Sequence, residues 1–457
     1  MARITLKQAA LWCGGHVEEK YENVEFLGAN NDTRVLKPGQ LFVVLSGARD
    51  GHDFIPAAME RGAAAVLCSR KTGDYPAIYV EDPRIALGRI AAEEIRAIAP
   101  KVVAVTGSVG KSTPKEMIAA VLSTTFKVRK TPVNHNNDIG MPMAILAMDS
   151  DTQVAVLEMG MNHFREIAYL SHIAKPDMAV IVNIGTSHIE YLGSQEGIRQ
   201  AKMEILEGMR ADGKLFLNGD DVMLRHLPDQ PVQALTYFGN DDGCDVCARD
   251  VQHGTGKMRF TVQCGELSFP VDLSVEGNHF ITDALAAISV GLAMGVEPDA
   301  IRSSLWNFRN LAGRQEIMQT KGLTIIKDCY NAGPESMTAA LGVLGNRAGR
   351  RIAVLGDMLE LGDCAPAEHY RIGRIAAEKA DLIFAYGPSA ERIATGALTG
   401  GMNPSKICCS TQQSTIIDAL KRTAQPGDVL LFKGSRGMHM EWILDGFLSE
   451  TTEEEKK

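Results

Sequence analysis

The run Thr106-Gly107-Ser108-Val109-Gly110-Lys111-Ser112-Thr113 constrains this chain more than any other feature, because it follows a continuous apolar segment, Lys101 to Thr106, and precedes a helical pattern. Such a run fits the turn between a buried strand and the helix that returns over its sheet. Its glycines let the backbone close around a phosphate, and the first amides of the helix point at that phosphate. Lys111 can reach the outer phosphates and Ser112 can ligate magnesium. Val105 stands where the general pattern has its first glycine, and Pro114 falls in the first helical turn, where a missing amide hydrogen is tolerated. A nucleotide held by Gly107, Ser108, Val109, Gly110, Lys111, Ser112 and Thr113 is therefore the first expectation.

The rest of the chain supports the α/β fold that such a loop requires. Leu41 to Leu45 and Ala63 to Cys68 read as strands with a helix at Phe54 to Gly62 between them. A helix from Ile85 to Ala99 ends at Pro100. Apolar runs recur at Val154 to Leu157 and Met178 to Val182 with helical patterns between, which implies a mostly parallel sheet covered on both faces. From Asp212 to Gly277 the texture changes to short strand-like pieces, and helical character returns at Ile281 to Met294. A second alternating block has strand candidates at Gly322 to Lys327, Arg351 to Leu355, Ala380 to Ala385 and Asp428 to Lys433, and the charged end from Thr451 to Lys457 should fray. At 457 residues the chain has room for two or three domains.

A net charge of -9 leaves no general field for nucleic acid, so an anionic ligand must be held by local cations. No apolar run reaches the length of a membrane-spanning helix, and the N-terminal apolar stretch is too short for a secretion signal, so a cytoplasmic chain is expected. The nine cysteines are scattered, as in a reduced compartment. Cys244 and Cys247 have metal-ligand spacing, but no second pair follows, and paired strand residues are the plainer reading.

Three further residues carry chemistry. Glu158 ends a buried strand, where a carboxylate opens into the crevice that binds ligands in such sheets and suits a metal beside the phosphates. His188, in Asn183-Ile184-Gly185-Thr186-Ser187-His188, follows the next strand and reads as a metal ligand or a satisfied loop histidine. In the helix after Ser194, Ile198, Ala201, Ile205 and Met209 form one apolar stripe, and Lys202 lies on that face. A core-directed lysine is desolvated, which favours the neutral amine, and a neutral amine can take up carbon dioxide as a carbamate. Snorkelling from the flank is the other reading.

Together these residues resemble the Mur ligases, the ATP-dependent amide-forming enzymes of bacterial cell-wall precursor synthesis. The resemblance covers essentially the whole chain in the family's order. It includes Asn134 to Pro142 (NHNNDIGMP), Glu158 to Met161, His188 to Ile205, Arg314, Asp328 to Met337 (DCYNAGPESM), Val354 to Gly362 (VLGDMLELG) and Lys433 to Met438 (KGSRGM). It implies three α/β domains: a small UDP-substrate-binding domain at 1–83, a central ATP-binding domain with a mostly parallel sheet at 84–312, and a Rossmann-like ligase domain binding a dipeptide at 313–457. The segments NN-x-IG, D-x-YNA-x-P-x-SM and LGDMLELG are similar to those of the member that joins D-alanyl-D-alanine to UDP-N-acetylmuramoyl-tripeptide through an acyl phosphate. Asp32-Thr33-Arg34 and Asp50 to Phe54 are similar to its UDP-binding domain.

The same resemblance implies two magnesium ions, one on Ser112 and Glu158 and one on His188 and a carbamate of Lys202. Lys111 and Arg314 would join Glu158, His188 and Lys202 as catalytic residues, with Arg314 and Asp328 reaching ATP when the domains close. Thr33 and Arg34 would meet the UDP end, while Asn134, Asn137, Asn331, Lys433, Ser435 and Arg436 would contact substrate. Phe280 and Asp283 stand where the family has two asparagines near the adenine. A monomer is expected. The alternatives are another ligase of the family adding the third peptide residue, which normally shows a DNPR run that this chain lacks, a folylpolyglutamate synthase, and a nucleotide-dependent regulator on the same fold.

Overall fold

The computed structural model describes residues 3–449 apart from 48, 230 and 255. The end expected to fray, 451–457, lies outside the described residues. Three large sheets organise the described residues, with a two-stranded pair, Ile4–Thr5 and Glu25–Phe26, beside them. A five-stranded sheet carries the first block, with Leu41–Val43 and Ala65–Cys68 paired in parallel near its centre. A nine-stranded sheet carries the second, and a six-stranded sheet the third.

In the nine-stranded sheet Lys101–Thr106 lies between Val154–Glu158 and Met178–Ile181, parallel to both. Its residues after Lys101 are all buried, and they alternate between two cores. Val103 and Val105 pack with Met117, Val121 and Leu285 on one face, whereas Val102 and Ala104 pack with Leu87, Ile90 and Leu170 on the other. That double covering is why the strand reads as an unbroken apolar run. The change of texture after Asp212 has a simple cause. Val246–Gly254, Lys257–Cys264 and Leu267–Leu273 form an antiparallel meander that extends this same sheet, and its outer positions alternate between buried and exposed. Cys247 is one of its strand residues, with its thiol directed at the Gln263 carbonyl at 3.7 Å.

The helix expected from Ile85 starts earlier, at Pro83, because the Asp82 carboxylate accepts from the amides of Arg84 and Ile85 and Pro83 occupies the first turn. It ends at Ala99 in the left-handed region, directly before Pro100. Its buried face, including Leu87, Ile90 and Ile95, is part of one apolar cluster that also contains Leu6 and Ala9 of the first block and Met141 and Ile145 of the second. Exposing Leu87 and Ile90 alone would cost about 3–6 kcal/mol, so this wall joins the two blocks firmly.

The six-stranded sheet runs Glu316–Thr320, Leu323–Asp328, Val429–Lys433, Arg351–Gly356, Leu382–Tyr386, Ile407–Ser410, parallel except for the first pair. Its two faces have apolar clusters of their own, separate from those of the other blocks. Asp328 and Lys433 end adjacent strands at the edge that faces the phosphate-binding loop across a cleft.

Candidate active site

The loop after Thr106 is held open by a neighbouring strand end. The amides of Ser108 and Val109 donate to Asn183 Oδ1 at 2.9 and 3.0 Å, and Asn183 Nδ2 donates back to the Val109 carbonyl at 3.0 Å. Gly110 adopts φ 72, a left-handed value that explains the glycine. Lys111 Nζ folds onto the carbonyls of Gly107 and Ser108 at 2.9 and 3.3 Å, and Lys202 Nζ reaches the same Gly107 carbonyl at 2.9 Å. Lys202 is buried as its place on the apolar stripe predicts. Burial lowers the pKa of both amines, and the Lys111 charge lowers that of Lys202 further, to well below the ordinary lysine value.

Glu158 is the hub beneath the loop. Its Oε2 accepts from Ser112 Oγ at 2.8 Å and its Oε1 from Asn136 Nδ2 at 2.9 Å, while its amide donates to Thr131 Oγ1 at 2.9 Å. The fully buried Lys115 lies 3.7 Å from Oε2, 3.1 Å from Glu116, and donates to the Thr131 carbonyl at 2.8 Å. Arg314, from the third block, donates to Ser112 Oγ at 3.1 Å and stacks its guanidinium 4.2 Å over the Tyr330 ring. A hydroxyl and a carboxylate side by side are hard oxygen donors that fit magnesium.

His188 sits at φ 65, before the short helix Ile189–Leu192. Its Nδ1 is buried without a hydrogen bond among the described residues, although Glu360 Oε2 lies 2.9 Å away in a poor orientation. Burial, then the charges of Lys111 and Lys202, push the imidazole down to about 4, so at neutral pH it is an uncharged ring with a spare nitrogen. Asp283 is buried on the cleft wall with no hydrogen-bond partner among the described residues. Burial raises its pKa well above the ordinary carboxyl value against the opposing Arg314 charge. The His279 ring lies against Phe280, tilted by 39° with centroids 4.2 Å apart, and is held at about 4 by burial.

The opposite wall comes from the third block. Lys433 Nζ pairs with Asp328 Oδ2 at 2.7 Å and donates to the Asn331 carbonyl at 3.0 Å. Ser435 Oγ bridges the Ala332 carbonyl and the Leu359 amide at 3.0 and 2.9 Å, and the Arg436 amide approaches Asn331 Oδ1 at 3.4 Å.

The two walls enclose a cleft of about 600 Å³ lined by Ser108 to Thr113, Asn134, Asn137, Glu158, His188, Arg314, Asp328, Asn331, Lys433, Ser435 and Arg436. Gly107 and Lys202 meet behind the loop rather than in the cleft. Thr33 and Arg34 lie in the first block, away from this cleft, and the exposed Arg34 guanidinium is clamped by Asp32 at 2.7 Å. Asn137 Oδ1 also accepts from the Gly140 amide at 2.8 Å, at the start of the helix Gly140–Leu146. Lys115, Asn136, Asn183 and Tyr330 complete the site without having been singled out in the sequence. Asn136, Asn183 and Tyr330 fall inside recognisable runs, but nothing local marks Lys115.

Comparison with known proteins places this geometry. Residues 105–291 match the family model of the Mur ligase middle domain, and residues 313–436 that of the Mur ligase, glutamate ligase domain. The chain is 40% identical over 454 residues to the UDP-N-acetylmuramoyl-tripeptide–D-alanyl-D-alanine ligase of Bacillus subtilis, covering 97% of this chain and 98% of the relative. Its structure resembles that of MurF from Acinetobacter baumannii with a TM-score of 0.90 at 31% identity, over 98% of this chain and 100% of the other. MurF ligase from Thermotoga maritima, solved in complex with ADP, matches with a TM-score of 0.82 at 31% identity, over 92% and 96% of the two chains.

Proposed function

Because this chain belongs to the Mur ligase family, and to its D-alanyl-D-alanine-adding branch, we propose that the cleft joins that dipeptide to UDP-N-acetylmuramoyl-tripeptide at the expense of ATP. One observation carries the reading: the phosphate-binding loop, Glu158 and the third-block residues Arg314, Asp328 and Lys433 line the same cleft. The chain is an ATP-dependent amide-forming ligase. Its relative in Bacillus subtilis, matched over nearly its whole length, favours this branch over a third-residue-adding ligase or a folylpolyglutamate synthase. No helix among the described residues is long and apolar enough to cross a membrane. ATP and a UDP-linked precursor as substrates support a bacterial cytoplasmic location.

The chemical obstacle is electrostatic. To become an acyl phosphate, the tripeptide carboxylate must approach the γ-phosphate of ATP, and two unit charges about 4 Å apart repel by roughly 4 kcal/mol at an effective dielectric of about 20. Lys111 and Arg314 approach this region from the two walls, and both would offset the accumulated negative charge. Ser112 and Glu158 would hold one magnesium, and the spare His188 nitrogen with a carbamate on Lys202 a second. When bound, the ions supply charge neutralisation. The desolvated Lys202 amine supports carbamate formation, because its neutral form is the one that reacts with carbon dioxide. Asn134, Asn137, Asn331, Ser435 and Arg436 would position the two substrates along the cleft, with Thr33 and Arg34 serving the UDP end.

The test is phosphate release from the purified protein with ATP, the UDP-muramoyl tripeptide and D-alanyl-D-alanine, omitting each in turn. Release should need all three, and Lys111→Ala should abolish it while the circular dichroism spectrum stays unchanged. Release without dipeptide at the full rate, or undiminished turnover in the variant, would overturn the assignment.

A further inference from the structure

The proposed reaction needs a group placed to take a proton from the incoming amine, and none of the residues discussed so far has been given that role. Glu335, in the second position of the helix Pro334–Gly345, is so placed. Its carboxylate crosses from the third block to the loop that follows Met178–Ile181. There Oε1 accepts from the Thr186 amide at 3.0 Å and the Thr186 hydroxyl at 3.2 Å. The other oxygen, Oε2, is buried and has no hydrogen-bond partner among the described residues. A buried carboxylate oxygen without a donor is costly, and its presence in a ligand cleft calls for a donor that arrives with the ligand.

The surroundings reserve space for that donor. Gly185 lets the carboxylate seat against its backbone, since a Cβ there would come within 2.7 Å of Oε1 and 3.1 Å of Oε2. Gly333 leaves room for a methyl-sized group on the other side. A Cβ at that position would stand 3.8 Å from Oε2, 3.4 Å from Ser187 Oγ and 3.6 Å from the Val109 side chain. The orphan oxygen is thus one small group away from the phosphate-binding loop, and Glu335 lines the same cleft as Lys111 and His188.

We propose that Glu335 Oε2 receives the amino terminus of the incoming dipeptide and accepts a proton from it. The inference rests on the ligase reading above. The dipeptide arrives as an ammonium, which donates to Oε2, and transfer of one proton to that oxygen leaves a neutral amine. The nitrogen lone pair then attacks the acyl-phosphate carbonyl. The C–N bond forms, the C–O bond to phosphate breaks, and phosphate leaves with that electron pair and takes the second nitrogen proton. Glu335 returns its proton to solvent.

Glu335→Gln separates this role from a latch between blocks, because the amide oxygen of glutamine still accepts from Thr186 while the basic oxygen is lost. Three measurements are made on the purified variant and the wild type. With ATP and tripeptide but no dipeptide, the single-turnover ADP burst should persist within about twofold. With hydroxylamine, an amine already neutral at pH 7, hydroxamate should form at near wild-type rate. With D-alanyl-D-alanine, kcat/KM should fall at least tenfold. Loss of the burst or of hydroxamate would show that Glu335 only assembles the cleft, and an unchanged dipeptide kcat/KM would show that it does not meet the amine. Either result overturns the proposal. Failure of the ligase reading itself would appear differently, as a wild-type protein with no dipeptide-dependent turnover. Glu335→Asp is the second variant, should the first be unstable. It keeps a carboxylate but retracts it by one methylene, and is expected to restore less than half of the lost kcat/KM, whereas full restoration would refute the placement of Oε2.

Discussion

Replacing Lys115 with Met asks what allows Glu158 to stay buried as a carboxylate beneath the phosphate-binding loop. Both side chains are inaccessible, and Lys115 Nζ lies 3.7 Å from Glu158 Oε2. At an effective dielectric of about 20, unit charges at that separation attract by roughly 4.5 kcal/mol. The ammonium also donates to the Thr131 carbonyl at 2.8 Å, the residue whose hydroxyl accepts from the Glu158 amide. Methionine fills the space of the aliphatic stem, so the loss is electrostatic. Glu116 keeps Lys130 as a partner, which leaves Glu158 as the stranded charge. Removing one member of a buried pair costs about 3–5 kcal/mol, and that is the expected destabilisation. Glu158→Gln in the same chain should recover part of it, with a coupling of at least ~2 kcal/mol in the double-mutant cycle. The chain offers a convenient probe, because its three tryptophans, Trp12, Trp306 and Trp442, fall one in each block. With Trp12 and Trp442 changed to Phe, urea unfolding followed at Trp306 reports on the central block together with the first block packed against it. A loss below about 1 kcal/mol, or additivity of the two substitutions within ~0.5 kcal/mol, would refute the claim that Lys115 compensates the buried carboxylate.

Two further outcomes are expected. Lys202→Ala should be inactive with its fold retained, and short carboxylates in the assay should partly restore turnover. Full activity without any addition would remove Lys202 from the mechanism. His188 titrates at about 4 in the folded chain, against about 6.5 when unfolded. The unfolded state therefore binds the proton first, so stability is fully present above about pH 6.5 and falls as pH drops towards 4. The loss levels off below that, at roughly 3 kcal/mol or less. His188→Asn should flatten that acid limb in urea titrations between pH 6.5 and 4, and an unchanged limb would show that the ring is not desolvated.

Much of this was legible because burial on both faces of a strand writes itself as an uninterrupted apolar run. Lys101–Thr106 begins and ends as read, and the strands containing Glu158 and Asp328 differ by a residue or so. The phosphate-binding loop is local in sequence, so its chemistry is legible too. Lys202 was legible through periodicity alone, as a cation on an apolar stripe. What escaped depends on contacts distant in the chain. The meander at 246–273 looked like a change of texture, and only its pairing shows that it lengthens the central sheet. Lys115 reads as a solvated helix residue until Thr131 and Glu158 close over it. The Asn183 side chain is named as a brace only by the amides it accepts from, 74 and 75 residues earlier. Glu335 lies in a recognised run, but its partner Thr186 is 149 residues away.

The apolar wall along Pro83–Ile98 has a mechanical consequence. It makes the first two blocks one rigid jaw, so the span from the Thr33 and Arg34 region to Lys111 is set by packed side chains and not by a linker. The third block keeps its own cores and meets the other two across the cleft. On the proposed reading, a substrate held at its nucleotide end by Thr33 and Arg34 would be measured against a fixed length. A stem peptide one residue short would leave its carboxyl stranded before the γ-phosphate, and one residue too many would push it past. Selection by peptide length would then need no pocket that reads side chains.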